Sequence, residues 1–143
     1  MIRTETPLEE LAKLGDPCMA GHVGIEITKL EPTKITGTMP VDSRTHQPMG
    51  YLHGGASAVL IETLGSVGSA LIIDNKTKAP VGLEINANHV RGVQSGTVTG
   101  VAEIVHCGSK THVWKVDIHT EDGKLVCTGR LTVMIISNKS KLH

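Results

Sequence analysis

His53-Gly-Gly-Ala-Ser-Ala-Val-Leu-Ile-Glu-Thr-Leu-Gly-Ser-Val-Gly-Ser-Ala-Leu-Ile-Ile-Asp74 carries one charged residue between its ends, Glu62. Its apolar spacing predicts a helix from about Gly54 to Asp74. With ~100° per residue and Glu62 at zero, Leu60, Leu64, Val67 and Leu71 gather on the opposite side as a core stripe. Gly55, Ala58, Gly65, Ser66 and Ser69 fall on the Glu62 side. These residues are small, so a second surface can approach closely there. A solvated helix face normally carries several Lys, Glu or Gln residues, and this one carries none. An unpaired carboxylate is costly to bury. Glu62 is therefore read as a carboxylate at the floor of a cleft, acting as nucleophile or general base. Ser66, one turn on, can hydrogen-bond it or a water.

The start of this helix matters equally. A first turn leaves backbone N–H groups unpaired and carries partial positive charge. Gly54 and Gly55 leave those donors unshielded, which suits a carbonyl oxygen gaining charge during attack. His53 just before and Gln47 upstream can assist the same carbonyl. His53 and Glu62 lie half a turn out of phase and ~13 Å apart along the axis. Two antiparallel helix copies, packed on their small-residue faces, would bring them to one substrate, so active sites shared across a C2 dimer are expected.

Outward from this helix the chain reads as strands. A short amphipathic helix follows Pro7 with Leu8, Leu11, Ala12 and Leu14, and ends near Gly15. Val23, Ile25 and Ile27 alternate with other residues, as do Ile35, Gly37 and Met39, predicting two strands about a turn at 31–34. Residues 41–52 have no clean period and read as an ordered loop. Four strands are expected after the helix, near 81–88, 98–106, 113–119 and 125–136. Trp114, Val116 and Ile118 share one face of the third, and Gly129 marks a bulge or a crossing in the last. Consecutive strands after one helix argue for an antiparallel α+β fold, six strands curling around a single helix.

The 143 residues fit one domain, 1–143, with one core. Lys plus Arg equals Asp plus Glu. A chain without basic excess is a poor general binder of nucleic acid or anionic lipid, and with Trp114 and Tyr51 as the only aromatics it lacks stacking platforms. No apolar run of ~20 residues exists to span a membrane, and no signal segment is evident, so a cytoplasmic protein is expected. Cys18, Cys107 and Cys127 show no CxxC spacing and read as buried free thiols. Eight His residues form neither HxxxH nor HExxH, so no metal site is expected. His22, His46 and His143 read as surface residues, and His112 and His119 as edge positions of strands.

The segments 39–66 (MPVDSRTHQPMGYLHGGASAVLIETLGS), 81–91 (VGLEINANHVR) and 106–114 (HCGSKTHVW) together resemble the hotdog-fold thioesterases. The likeness runs over nearly the whole chain, towards the phenylacetate-pathway type (PaaI-like) and the 4-hydroxybenzoyl-CoA thioesterase subgroup. Within that group it extends to the 1,4-dihydroxy-2-naphthoyl-CoA hydrolases of menaquinone synthesis, with the enterobactin-pathway proofreading thioesterases nearby. The resemblance implies a hotdog fold and hydrolysis of acyl-CoA, with aryl-CoA favoured. Glu62 matches the catalytic carboxylate and Gly54 the backbone N–H that polarises the thioester carbonyl. Gln47 and His53 match assisting groups, and Ser66 a hydroxyl that handles water or the leaving group. Glu62 would come from the partner of the subunit supplying Gly54, and a homotetramer built of two dimers is implied. Coenzyme A contacts are implied at Gly82, at His89, Val90, Arg91 and Gly92, and at His106, Cys107, Gly108, Ser109, Lys110 and Thr111. Arg91 and Lys110, ordinary solvated charges when taken alone, become phosphate contacts in that setting. No cofactor is implied beyond coenzyme A as part of the substrate. The acyl pocket would draw on Met49, Tyr51, Leu52, Val59 and Ser69. Other readings are a thioesterase acting on acyl carrier protein, a domain that binds acyl-CoA without hydrolysing it, and a dehydratase. Dehydratases of this fold lack a carboxylate placed like Glu62.

Overall fold

A computed structural model describes residues 1–138; His143 lies outside the described residues. The elements in order are α1 (Leu8–Gly15), α2 (Met19–His22), β1 (Glu26–Glu31), β2 (Lys34–Pro40), α3 (Gly54–Ala70), β3 (Lys78–His89), β4 (Thr97–Cys107), β5 (Thr111–His119) and β6 (Leu125–Ser137). The six strands form one antiparallel sheet in the order β1-β2-β4-β5-β6-β3. The sheet wraps α3, as expected of a hotdog fold.

Small residues in the sheet let the helix settle into it. Gly37 and Gly100 are register partners on β2 and β4. A Cβ on either would press within 3 Å of a Leu64 methyl. Leu60, Ile61 and Leu64 are fully buried there with Ile35, Met39, Val98, Trp114, Val116, Ile118, Leu131 and Val133. Burying side chains of this size stabilises the fold by about 1.5–3 kcal/mol each before entropy is counted.

Several expectations need correction. Gly65 and Ser69 do not share an open face with Glu62. Both are buried, because the Trp114 indole lies along the helix: a Cβ on Gly65 would meet its Cδ1 at 3.3 Å and one on Gly68 its Cζ2 at 2.8 Å. Ser69 accepts the indole N–H at 2.9 Å. Gly65, Gly68 and Ser69 thus accommodate this chain's own Trp114. The open arc holds Ala58, Val59, Glu62, Thr63, Ser66 and Ala70, all half-buried.

The helix stops at Ala70 rather than Asp74. The Arg3 guanidinium donates to the carbonyls of Ala70 and Ile73, and Ile72 and Ile73 turn back onto the Ser69 carbonyl. The first strand begins at Glu26, since α2, which the sequence reading did not anticipate, takes 19–22 and leaves Val23 and Ile25 in its exit. Gly129 is no bulge, as register runs unbroken through Ala87↔Gly129; a Cβ there would strike the Asn86 carbonyl. The β3 bulge falls instead between Gly82 and Glu84. Cys18 and Cys107 are exposed, and only Cys127 is buried. His112 is 2% exposed on an interior strand, not at an edge.

Candidate active site

The loop before α3 is tied down from both sides. Leu52 N–H donates to the Val93 carbonyl and His53 N–H to that of Thr45, both at 2.7 Å, and His46 Nε2 meets the Gln94 carbonyl at 2.9 Å. A tight turn follows Gln47, closed by Gln47 N–H to Tyr51 O at 2.8 Å and made possible by Gly50 at φ +82°. The Gln47 side-chain oxygen accepts the Met49 N–H. A backbone N–H can only donate, so that contact fixes the amide orientation and directs the Gln47 Nε2 hydrogens away, with no acceptor among the described residues.

At the helix start His53 acts as the N-cap: its Nδ1 accepts the Gly55 N–H at 2.7 Å. One of the two glycine donors is therefore used by His53 itself. The Gly54 N–H has no hydrogen-bond partner among the described residues. The His89 ring lies over Gly54, where a Cβ would come within 2.7 Å of its Nε2. Gly92 is packed in turn by the Tyr51 ring, 2.9 Å from a Cβ built there.

These groups line one open cavity of about 490 Å³, containing Gln47, Gly54, Tyr51, His89, Arg91 and Gly92. Met49 and Leu52, expected in an acyl pocket, and Val90, expected at coenzyme A, also line it. Ser57 and Val126, which the sequence reading missed, complete it. Ser57 sits one turn after Gly54, and that i+3 spacing was the available signal. Arg91 is exposed and makes no ion pair among the described residues. It remains available to an anion.

Glu62 and Ser66 lie elsewhere. Glu62 is eight residues beyond Gly54, about 12 Å along the helix axis. Its carboxylate rests against Gly82 of β3, so closely that any Cβ at that position would overlap Oε1. No hydrogen bond joins Ser66 to Glu62 among the described residues, contrary to one expectation. Residues 106–111 form the β4–β5 turn. Register places Gly82 opposite Val133, Val133 opposite His112 and His112 opposite Cys107, so this turn lies across the sheet from Gly82. His89 is seven residues further along β3, roughly 23 Å at ~3.3 Å per residue. The expected site residues therefore form two groups in one chain. Gln47, Gly54 and 89–92 make one, with His53 beside it. Glu62, Ser66, Gly82 and 106–111 lie towards the other end of β3. Val59 does not line the 490 Å³ cavity but shares the open arc of α3 with Glu62, and Ser69 is fully buried beside Trp114.

No cluster of His, Cys, Asp or Glu that could hold a metal ion occurs among the described residues. No described helix is long and apolar enough to cross a membrane.

Residues 49–127, more than half of the chain, match the Thioesterase superfamily. The chain is 47% identical over 129 residues to the 1,4-dihydroxy-2-naphthoyl-CoA hydrolase of Escherichia coli, covering 90% of this chain and 94% of that one. It is 43% identical over 129 residues to the proofreading thioesterase EntH of Cronobacter turicensis, covering 90% and 93%. A crystal structure of a mutant of the Pseudomonas aeruginosa thioesterase PA1618 superposes with a TM-score of 0.93 at 44% identity, covering 96% of this chain and 99% of that one. A six-stranded antiparallel sheet around one helix, a match over more than half the sequence and relatives of nearly the same length agree: this chain belongs to the Thioesterase superfamily and has its hotdog fold.

Proposed function

We propose that this protein hydrolyses acyl-CoA thioesters, aryl-CoA among them, at a site shared between two copies of the chain. The observation that carries this is the division of the site residues into two groups, level with Gly82 and with His89, seven residues apart on β3. This strand is at the sheet edge, 12 residues long, and exposes Val81, Leu83 and Ile85. Antiparallel pairing of two β3 edges about a two-fold axis sets the Gly82 end of one copy beside the His89 end of the other. One operation thus unites Glu62 with the partner's counterpart of Gly54, and the 106–111 turn with that of Arg91, twice over. Two such dimers forming a tetramer belong to the same reading.

In this arrangement the thioester oxygen accepts from the Gly54 N–H and a Gln47 Nε2–H, both without a partner among the described residues. These stabilise the charge that develops as the carbonyl carbon is attacked. Glu62 either takes the proton of an attacking water or attacks that carbon itself, in which case the mixed anhydride it forms is hydrolysed by water after coenzyme A has left, releasing the acid and restoring the carboxylate. The carbon–sulfur bond then breaks, and coenzyme A leaves as a thiolate that acquires a proton. Arg91 and Lys110 meet phosphates. The likeness to the E. coli 1,4-dihydroxy-2-naphthoyl-CoA hydrolase supports a fused-ring aryl substrate in menaquinone synthesis. The likeness to EntH supports comparing carrier-protein thioesters with CoA thioesters carrying the same acyl group.

Thiol release from benzoyl-CoA, hexanoyl-CoA and 1,4-dihydroxy-2-naphthoyl-CoA tests the reaction. Glu62→Ala should lose about 10²–10⁴-fold; full activity in that variant overturns the assignment. Sharing is tested by dissociating and reassembling Glu62→Ala with Gln47→Ala. Random pairing leaves one intact site in half of the dimers, restoring about a quarter of wild-type activity. No recovery, with mixed dimers verified by native mass spectrometry, argues for a site within one chain.

A further inference from the structure

Ser57 lines the 490 Å³ cavity, and the proposed hydrolysis gives its side chain nothing to do. The residue is 1% exposed, and its hydroxyl makes no hydrogen bond to another described residue. The nearest acceptor for a helical serine is the carbonyl four residues back. Here that carbonyl, of His53, already accepts the backbone N–H groups of Ala56 at 2.9 Å and of Ser57 at 3.3 Å. Among the described residues no side-chain oxygen is both sealed from solvent and without a partner. The small open part of Ser57 therefore includes its hydroxyl oxygen, and what it meets is this cavity. A polar side chain so buried, unpaired and turned into a cavity is satisfied by a ligand.

The Ser57 hydroxyl and the Gly54 N–H serve different atoms of that ligand. Helix N–H groups point towards the N-terminus, so an oxygen held by Gly54 lies beyond the start of α3. Ser57 is three residues the other way, ~4.5 Å along the axis. The lean of helical side chains towards the N-terminus recovers only part of that gap. With the thioester oxygen on Gly54, Ser57 reaches a second polar atom roughly 5 Å from it.

The surroundings say what carries that atom. Arg91, the phosphate contact, is exposed, whereas Ser57 is at the buried end beside Leu52 and Val126. The buried end takes the acyl half of the substrate. No Lys, Asp or Glu lines the cavity, and Arg91 is its only Arg, so the matching group is uncharged. A serine hydroxyl both donates and accepts, which matches another hydroxyl. On an aromatic acyl group, ring positions ortho and meta to the thioester carbon cover the gap, and the para position lies farther out.

We propose that Ser57 is a specificity-determining residue, binding a ring hydroxyl ortho or meta to the thioester of a hydroxyaroyl group. This role rests on the acyl-CoA reading of the cavity. A ring without the hydroxyl would leave Ser57 buried and unpaired, so the site discriminates against it.

Thiol release from benzoyl-CoA, 2-hydroxybenzoyl-CoA and 3-hydroxybenzoyl-CoA is measured for the wild type and Ser57→Ala. The substitution breaks no side-chain hydrogen bond and places a strong helix former in α3, so the variant should fold. The ratio of kcat/KM for the better hydroxylated thioester to that for benzoyl-CoA should fall about tenfold in Ser57→Ala. Comparing two proteins on the same thioesters cancels differences in their intrinsic reactivity. An equal loss on all three keeps the ratio, assigns Ser57 to the thioester or to Glu62, and overturns the proposal. Calorimetry with phenacyl-CoA and its 2- and 3-hydroxy derivatives, thioethers with nothing to hydrolyse, separates this role from the reaction. If no thioester is cleaved, the hydrolysis reading fails, and the Kd ratio decides on Ser57. A tenfold fall of that ratio in the variant upholds the role, and an unchanged ratio or no binding of any of the three overturns it.

Discussion

Gly82 lies directly under the carboxylate of Glu62, leaving no room for a methyl group between strand β3 and the acid. The φ of Gly82 is not positive, so its backbone would accept alanine without strain. What glycine provides here is the missing Cβ. The β3 bulge begins at the same residue, which re-aims the strand where the carboxylate rests. Substitution to alanine therefore acts on where Glu62 sits.

Gly82→Ala should lower kcat by about tenfold or more, since a displacement near 1 Å at a reacting group has effects of that order. The atom a Cβ would meet is the far end of the flexible Glu62 side chain, which can swing aside, so the thermal midpoint should move by only about 2 °C. Steady-state kinetics and a melting curve on the same sample check both. Unchanged kcat would mean that Glu62 has freedom to move or no part in the chemistry.

Gln47→Glu tests the amide donor. The Met49 N–H still finds an oxygen acceptor, so the loop keeps its turn, but the Nε2 hydrogens are replaced by an ionised oxygen facing the thioester carbonyl. Loss of one such donor lowers kcat by about 10²–10³-fold. Binding is expected to change much less, because the interaction strengthens as charge develops. A purely KM effect would assign Gln47 to substrate binding alone.

The order of α1, α3 and the six strands was legible in the sequence because α3 and the strands have different periods, whereas the four-residue α2 is too short to show one. Glu62 stood out because nothing else on α3 is charged. The use of Gly65, Gly68 and Ser69 was not legible. Helical spacing shows which residues are small, not which neighbour they accommodate, and Trp114 is 45 residues from Ser69 in the chain. Cys107 was misread for the opposite reason: cysteines are commonly buried, but the end of the β4–β5 hairpin leaves this one in the open. The division of the site into two groups was half visible in the helix, from the phase of His53 and Glu62. The matching separation of Gly82 from His89 required knowing that both lie on one edge strand.

Trp114→Phe removes the N–H that anchors Ser69 while keeping most of the aromatic volume. It should destabilise the fold by about 1–3 kcal/mol, the range for leaving a buried polar group short of its partner. Gly68→Ala presses a methyl onto the same ring and should cost about 1–3 kcal/mol by overpacking. The two share one contact, so the double variant should fall short of the sum. Urea denaturation of the four proteins measures this. Strict additivity would show that the indole and Gly68 do not interact energetically.

The folded chain holds His112 below its ordinary pKa of 6.5 through burial and the neighbouring His106 charge. Once unfolded, the ring regains that ordinary value. Between the lowered folded pKa and 6.5 the unfolded chain binds a proton that the folded chain does not. Stability therefore rises with pH across that window and is lost as pH falls below 6.5. His112→Gln keeps a polar side chain but has nothing to titrate, so its stability should depend less on pH over the same interval. Melting midpoints measured from pH 7.5 down to about 5 should fall more steeply for the wild type than for this variant. Parallel slopes would mean that protonation of His112 is not what acid exploits, and a wild-type midpoint that rises on acidification would reverse the sign altogether.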